Sequence, residues 1–197
     1  MNQVGGVFVS YSLALGPFHP AWRGPQRFVL QVSGERISDI EYYDGFNERG
    51  CAERLPRLDL PRALHLVTRI CGACSFAHAL AFCQAIEKLC GIEVSERAAM
   101  LRCVIAEFER ISSHLDAAAT LLTALGMEPY AKELMELREQ VLGGMHSLTG
   151  ARLAPDICVP GGLRRELPAR EREELLVLLP KLNRALYRCA DQLIDHR

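Results

Sequence analysis

Apolar and polar residues alternate along the first part of the chain, which is the pattern of a half-buried β-strand. Since β-branched and aromatic side chains accompany the alternation, it predicts three strands, over residues 6–13, 26–32 and 36–43. Ser33, Gly34 and Glu35 form a hairpin turn signal between the second and third strands. A loop punctuated by prolines separates the first two strands. We therefore expect a small antiparallel sheet at the start of the chain.

From about residue 75 onward, apolar residues recur at the spacing of an α-helix. The pattern predicts four helices, over residues 75–88, 95–126, 129–148 and 169–197. Gly91 and Gly150 stop the first and the third helix, and Ser95 caps the second. Pro180 is expected to kink or divide the last helix. Residues 159–165 are predicted to form a loop.

These elements predict an α+β fold class, with a small N-terminal antiparallel sheet followed by a long-helix bundle. We expect a β-rich region over residues 1–60 and a helical bundle region over residues 61–197, within one structural domain. On the second helix, one apolar stripe is expected to face the core: Ala99, Cys103, Ala106, Ile111 and Leu115.

Composition excludes some classes of partner. There are 23 Lys and Arg residues against 24 Asp and Glu residues, so the net charge of -1 offers no electrostatic attraction for nucleic acid or an anionic membrane. No stretch approaches the roughly 20 apolar residues of a membrane span. The first residues lack a basic segment followed by an apolar one, so we expect no secretory signal and a cytoplasmic protein.

The chain has eight cysteines, which is many for a cytoplasmic protein. A chain of 197 residues can bury a full core and does not need disulfides to fold. Four of the cysteines lie among apolar helical neighbours and are predicted to be reduced core thiols: Cys83, Cys90, Cys103 and Cys189.

Two further cysteines carry the candidate chemistry. Cys71 and Cys74 lie three residues apart, between Arg69 and His78, where an extended segment meets the start of a helix. Two thiols at this spacing can present both sulfur atoms to one metal ion, and positive charge and a helix start favour the thiolate form. A bare CxxC pair is also found in zinc sites, redox dithiols and ordinary cores, so the spacing alone leaves these alternatives open.

The longer string R-x-C-G-x-C-x-x-x-H resembles the amino-terminal nickel-binding signature of the large subunit of [NiFe] hydrogenases. The resemblance is to the energy-converting group, including the formate hydrogenlyase large subunit, and to the related quinone-site subunit of respiratory complex I. It covers nearly the whole chain. Further matching stretches occur in the order of that group: residues 16–20, 44–50, 107–115, 148–150 and 161–167.

The resemblance implies a role for each residue of the string. Cys71 would be a terminal nickel ligand, and Cys74 would bridge nickel and iron in a nickel–iron centre. His78 would face an iron–sulfur small subunit within a redox complex that is peripheral to the inner face of the cell membrane. Arg69 would lower the pKa of the thiols or contact acidic groups. Nickel needs soft, electron-rich donors to change oxidation state, and thiolates supply them.

Three departures from the family pattern predict that the chain does not turn over hydrogen alone. A second CxxC pair, which completes the family site, does not occur in this sequence. Gly24 replaces a glutamate of the first loop that is the family's proton acceptor, and Ala52 replaces the glutamate of the R-G-x-E motif. Proton transfer needs a positioned carboxylate. Glu48 and Glu53 lie close in sequence, but a shift along the chain redirects a side chain.

Two other functions stay open at this point. The first is a complex I-like subunit of an NADH- or ferredoxin:quinone oxidoreductase, or a silent scaffold. His19 is the possible quinone-loop residue for that function, but Gly72 stands where the quinone-site tyrosine is expected. The second is a small zinc protein that uses the two cysteines and His78. We also expect Glu107, Arg110 and His114 to form a structural network between helices.

The isolated chain is also expected to expose apolar faces that a larger complex would cover. The second predicted helix is apolar around much of its circumference, notably over residues 117–122. Such a face favours association when it is bare, so we predict that the isolated polypeptide self-associates.

Overall fold

The computed structural model describes residues 10–19, 22, 24–166 and 169–195. These residues fall into two compact units, one ending at Gly50 and the other beginning at Cys51.

The first unit is a three-stranded antiparallel sheet in the order β1-β2-β3. Its strands are β1 (Ser10–Leu15), β2 (Arg27–Ser33) and β3 (Arg36–Tyr43). Gly34 turns the chain between β2 and β3 with a φ of 63°, a left-handed conformation that glycine adopts without steric cost. The predicted sheet and hairpin are thus confirmed. The first strand runs on to Leu15, and residues 6–9 of its predicted range lie outside the described residues.

The second unit begins with three short elements before the long helices. They are α1 (Cys51–Arg54), a 3-10 turn (Leu55–Arg57) and α2 (Leu60–Val67). The Asp59 side chain caps α2 by accepting a hydrogen bond of 3.0 Å from the backbone N–H of Arg62. The sequence pattern did not reveal these elements, because helices of one or two turns are too short to establish a 3.6-residue period.

The long helices follow the prediction closely. They are α3 (Ser75–Cys90), α4 (Glu96–Ala124), α5 (Glu128–Thr149) and α6 (Ala169–Ile194). Gly91 and Gly150 end α3 and α5 in the left-handed conformation, and the Ser95 side chain caps α4. Helix α5 packs between α4 and α6. Pro180 lies inside α6, which continues through it as one helix rather than two.

The buried face of α4 differs from the predicted stripe. Ala99 and Cys103 are exposed, and of the predicted set Leu115 alone is fully buried. The face that packs on the bundle repeats every three or four residues: Ile105, Phe108, Ser112, Leu115, Ala119 and Leu122. Apolar residues occur on several sides of α4, so its own pattern allowed more than one stripe to be the buried one. Contacts with segments distant in sequence decide which stripe is buried. The prediction of core thiols is accordingly right for Cys83 and Cys189 and wrong for Cys90 and Cys103.

The predicted loop over residues 159–165 contains a small hairpin instead. Strands β4 (Cys158–Val159) and β5 (Gly162–Leu163) pair in antiparallel fashion. The buried Arg102 side chain donates to the carbonyl oxygens of Val159 and Gly162 at 2.8 and 3.0 Å, which fastens the hairpin to α4. No described helix combines the length and the apolar character needed to cross a membrane.

Candidate metal-binding half-site

The thiol loop lies between the end of α2 and the start of α3. After Val67 the chain makes two tight turns, in which the N–H groups of Arg69 and Ile70 donate to carbonyls three residues earlier. Cys74 is the residue immediately before α3, and its carbonyl oxygen accepts the N–H of His78 at 3.2 Å. The start of α3 therefore fixes the backbone at Cys74. The turns after α2 fix the direction in which the chain reaches Cys71.

Cys71 and Cys74 are half-buried free cysteines whose thiols share a hydrogen bond. That bond from Cys74 lowers the pKa of Cys71, and the backbone N–H groups of Ala73 and Cys74 act in the same direction. Burial, with the bond to Cys71, raises the pKa of Cys74 to about 12. Cys71 is thus the more acidic of the two thiols, and the thiolate is the form that binds a soft metal ion.

Arg69 points to an acidic partner rather than to the thiols. Its guanidinium makes a two-pronged contact with the Asp156 carboxylate, with distances of 3.0 Å from Nη1 to Oδ1 and 2.8 Å from Nη2 to Oδ2. The contact lowers the pKa of Asp156 against the opposing effect of burial. Of the two roles considered for Arg69, the structure therefore has the contact with an acidic group.

His78 lies in the first turn of α3 and is half-buried. Burial raises the pKa of Glu109 on α4, and the nearby His78 side chain acts in the opposite direction. Within the parts of the chain that the structure describes, no set of three or more His, Cys, Asp and Glu side chains gathers where it could hold a metal ion.

Glu109 is a site residue that the sequence analysis missed. Its two carboxylate oxygens accept the backbone N–H groups of Phe76 and Ala77 at 2.7 and 2.9 Å, so it caps the start of α3 from a neighbouring helix. Its charge raises the pKa of both thiols. One signal in the sequence pointed to such a residue: Cys74 offers no capping oxygen, so the first N–H groups of α3 needed an acceptor from elsewhere.

Two cavities flank the thiol loop. An open groove of about 420 Å³ runs between α3 and α4, and Cys74 and Glu109 both line it. A smaller cavity of about 30 Å³ is lined by Gly72 and Ala73 together with Leu153 and Ala154. A cavity of that size has room for a water molecule.

The remaining candidates are placed as follows. Glu107 and Arg110 form an exposed ion pair within α4, rather than the expected network between helices. His19 lies in the first unit, where its ring centroid is 4.9 Å from that of Trp22. The Glu48 side chain accepts the backbone N–H of Gly50 at 2.7 Å and is thus engaged in a local turn. Glu53 is exposed.

A side chain at Gly24 would meet one neighbour, the exposed side chain of Asn47. A Cβ atom at this position would lie 2.7 Å from the amide nitrogen of Asn47. A larger residue here would therefore require Asn47 to move. The neighbouring positions 20, 21 and 23 of the first loop lie outside the described residues.

Comparisons with known proteins agree with this architecture. Residues 49–116 match the family described as nickel-dependent hydrogenase. The chain is 30% identical to the membrane-bound hydrogenase subunit alpha of Pyrococcus furiosus, over 85% of this chain and 39% of that protein. It is 36% identical to a subunit of the NADH-quinone oxidoreductase of Sinorhizobium medicae, over 79% of this chain and 39% of that protein.

Among solved structures, a chain of the membrane-bound sulfane sulfur reductase, an archaeal respiratory membrane complex, has the same fold. The TM-score is 0.85 at 25% identity, over 92% of this chain and 49% of that chain. The present chain spans 39% of the length of each of these two curated relatives.

Proposed function

Since the chain belongs to the protein group that contains the nickel-dependent hydrogenase large subunits and the related subunits of NADH-quinone oxidoreductase, we propose that it carries one half of a nickel–iron thiolate site. Cys71 and Cys74 are its metal ligands in this proposal. The observation that carries it is the hydrogen bond between their thiols at a half-buried position before α3. Two sulfur atoms close enough to share a proton are close enough to share a metal ion.

The residues present fit half of the donor set. Two thiols supply half of the sulfur donors of the complete family site, and the described residues bring no third donor to them. We therefore propose that this chain alone does not hold a nickel–iron centre and does not turn over hydrogen. When bound, the group supplies redox-active metal chemistry for interconverting hydrogen with protons and electrons. The chain's own residues hold two soft donors, while Ala73 and Cys74 stabilise a thiolate through their N–H groups.

The proposed setting is a larger redox complex. The relatives bear the names of subunits of membrane-bound and quinone-reducing complexes, and the described helices contain no membrane span. We propose that the chain lies on the cytoplasmic side of the membrane and is held there by partner subunits. An iron–sulfur subunit would face His78.

Metal titration tests the half-site. Co²⁺ serves as the probe because its bonds to thiolate sulfur give strong near-ultraviolet absorption. We expect the 197-residue chain to show this absorption, and the Cys71→Ser and Cys74→Ser variants to lose it. Cys103→Ser is the matched control, because this thiol is exposed on α4 and lines neither cavity beside the loop. Loss of the absorption in the control, or its persistence in either of the first two variants, would contradict the proposal.

One observation favours a second function, namely the 36% identity to a subunit of a quinone-reducing enzyme. In that alternative the chain is a quinone oxidoreductase subunit or a silent scaffold, with His19 as a quinone-loop residue. The single tryptophan of the chain lies beside His19, so it can report on the site. Quenching of its fluorescence by a short-chain ubiquinone, weakened in His19→Ala, would support the quinone function. No saturable quenching would exclude it.

A further inference from the structure

Asp156 gathers several polar groups at the end of α2, and it lies 87 residues after Arg69 in the chain. Its Oδ1 accepts from Arg69 and from the Thr68 hydroxyl, at 3.0 and 3.1 Å. Its Oδ2 accepts from Arg69 at 2.8 Å and lies 3.2 Å from Nδ1 of His65. Each oxygen of a carboxylate can accept about two hydrogen bonds, so Oδ1 of Asp156 is saturated by the bonds from Arg69 and Thr68.

The backbone presents this carboxylate in an unusual way. Asp156 has a φ of 61°, in the left-handed region that few residues other than glycine adopt, although aspartate tolerates it. On either side of it, Ala154, Ile157 and Cys158 are buried. A fixed segment, rather than a free loop, therefore delivers the carboxylate to the end of α2.

The same segment also lies near the thiol loop. Leu153 and Ala154 help to line the small cavity that Gly72 and Ala73 also line. The segment thus contacts Arg69, two residues before Cys71, and shares a cavity with Gly72 and Ala73, which follow Cys71.

Arg69 links Asp156 to the thiol loop, because its side chain is also hydrogen-bonded to the end of α2. Its Nη1 donates to the carbonyl oxygen of His65 at 2.9 Å and to the Thr68 hydroxyl at 2.7 Å. A guanidinium bound on both sides is held in one orientation. Cys71 follows it by two residues, so the direction in which the chain enters the thiol loop depends on this anchor.

We propose that Asp156 is the positioning residue of the Cys71–Cys74 pair. Its carboxylate holds Arg69 and Thr68 and thereby sets the direction in which the two thiols leave the end of α2. The effect on metal binding rests on the proposed half-site, whereas the orientation of the thiols does not.

Three variants of the 197-residue chain separate the possible effects. Asp156→Gly keeps the left-handed backbone but removes the anchor. Asp156→Asn also tolerates that backbone and keeps part of the hydrogen bonding, but it removes the charge. Asp59→Asn is the matched control, because Asp59 is an exposed carboxylate at the other end of α2 that lies 3.8 Å from Arg62.

The first measurement is the affinity for Co²⁺, read from the thiolate absorption. Loss of a residue that orients metal ligands typically weakens metal binding by about 10- to 100-fold. We expect a loss in that range for Asp156→Gly, a smaller loss for Asp156→Asn, and a change below twofold for Asp59→Asn.

The second measurement needs no metal. Iodoacetamide labelling is followed by peptide mass spectrometry, and the exposed Cys90 and Cys103 serve as internal references. The ratio of the labelling rates of Cys71 and Cys74 reports how the thiol loop presents its two side chains to solvent. We expect this ratio to change several-fold in Asp156→Gly, to change less in Asp156→Asn, and to stay as in the wild-type chain in Asp59→Asn.

The outcomes distinguish this inference from the proposed function. If the wild-type chain binds no Co²⁺ but the labelling ratio changes in both Asp156 variants, the metal role fails and the positioning role stands. If the ratio and the Co²⁺ affinity stay within twofold of wild type in both variants, the positioning role is overturned. It is also overturned if neither variant folds, as judged by circular dichroism, because Asp156 would then be required for the whole fold.

Discussion

Arg102 and Glu87 form a two-pronged ion pair, with distances of 2.6 and 3.1 Å between guanidinium and carboxylate, and both side chains are more than nine-tenths buried. The pair joins α4 to α3. The backbone N–H of Gly161 also donates to Glu87 at 2.8 Å, so the hairpin of β4 and β5 joins the same network. Three parts of the bundle that are distant in sequence therefore depend on one pair of charges.

Glu87→Ala should destabilise the chain strongly. Removing one member of a buried ion pair leaves the other charge unpaired, which typically costs about 3–5 kcal/mol. Urea unfolding followed by circular dichroism measures the change in the free energy of unfolding. Glu107→Ala is the control, because its pair with Arg110 is exposed and such pairs contribute at most about 1 kcal/mol. Equal effects in the two variants would contradict the role assigned to the buried pair.

The same pair predicts a dependence of stability on pH. The hydrogen bond from Arg102 is the main cause that lowers the pKa of Glu87 in the folded chain. The unfolded chain then binds more protons, so the stabilisation is present above the ordinary pKa of 4.5 and is lost as the pH falls through the lower folded value. We expect the free energy of unfolding to fall in this acidic range, and to fall less steeply in Glu87→Gln. Parallel curves for the two proteins would exclude this contribution.

Glu109→Ala should affect both the helix and the thiols. The start of α3 loses a capping acceptor, which typically costs about 1 kcal/mol. Because the Glu109 charge raises the pKa of Cys71 and Cys74, its removal should lower both pKa values. The alkylation rate of Cys71 should then rise at a lower pH than in the wild-type chain. Glu107→Ala changes an exposed carboxylate on the same helix and should leave this pH profile in place.

The buried and the exposed thiols should form two reactivity classes under native conditions. Cys83, Cys158 and Cys189 are buried, so they should react with a maleimide only after unfolding. Cys90 and Cys103 are exposed and should react at once. Mass spectrometry at increasing urea concentration checks the division. Early labelling of Cys83 would mean that α3 and the hairpin separate before the bundle unfolds, since the thiols of Cys83 and Cys158 share a hydrogen bond.

The isolated chain should self-associate through apolar side chains that it exposes. Leu121 and Leu125 near the end of α4 are 61% and 64% exposed, and Leu176 and Val177 on α6 are 65% and 56% exposed. Light scattering over a concentration series should show a mass that rises with concentration. The double variant Leu121→Asn, Leu125→Asn should reduce the rise, whereas Thr120→Asn, at an exposed polar position, should not. A mass equal to that of the monomer at every concentration would contradict the prediction.

Local signals predicted the ends of the elements well. Gly91, Ser95 and Gly150 act on the backbone within a few residues of themselves, so their roles can be derived from short stretches of sequence. The fold class followed from the change from a period of two to a period of 3.6, and it is confirmed. The string around Cys71 and Cys74 pointed to the family whose model matches residues 49–116 for the same reason, because its residues are neighbours in the chain.

Contacts between distant segments could not be derived in this way. Asp156 and Arg69 are 87 residues apart, and Glu109 lies 33 residues from the Phe76 N–H group that it caps. In each case one member looks like an ordinary charged surface residue until the fold brings the partner to it. The predicted buried face of α4 was wrong for a related reason. The packing of α5 against α4, rather than the apolar pattern of α4 itself, decides which stripe is buried.

The amide of Asn47 is the neighbour that a side chain at Gly24 would meet first. Asn47 is exposed, so a rotation of its side chain can clear the 2.7 Å contact with a Cβ atom. A Gly24→Glu substitution therefore makes the rotamer of Asn47 part of the first loop's geometry, and Asn47→Ala would remove that dependence. A carboxylate at position 24 is thus within reach of a single amino-acid change, with position 47 as the place to adjust where its side chain comes to rest.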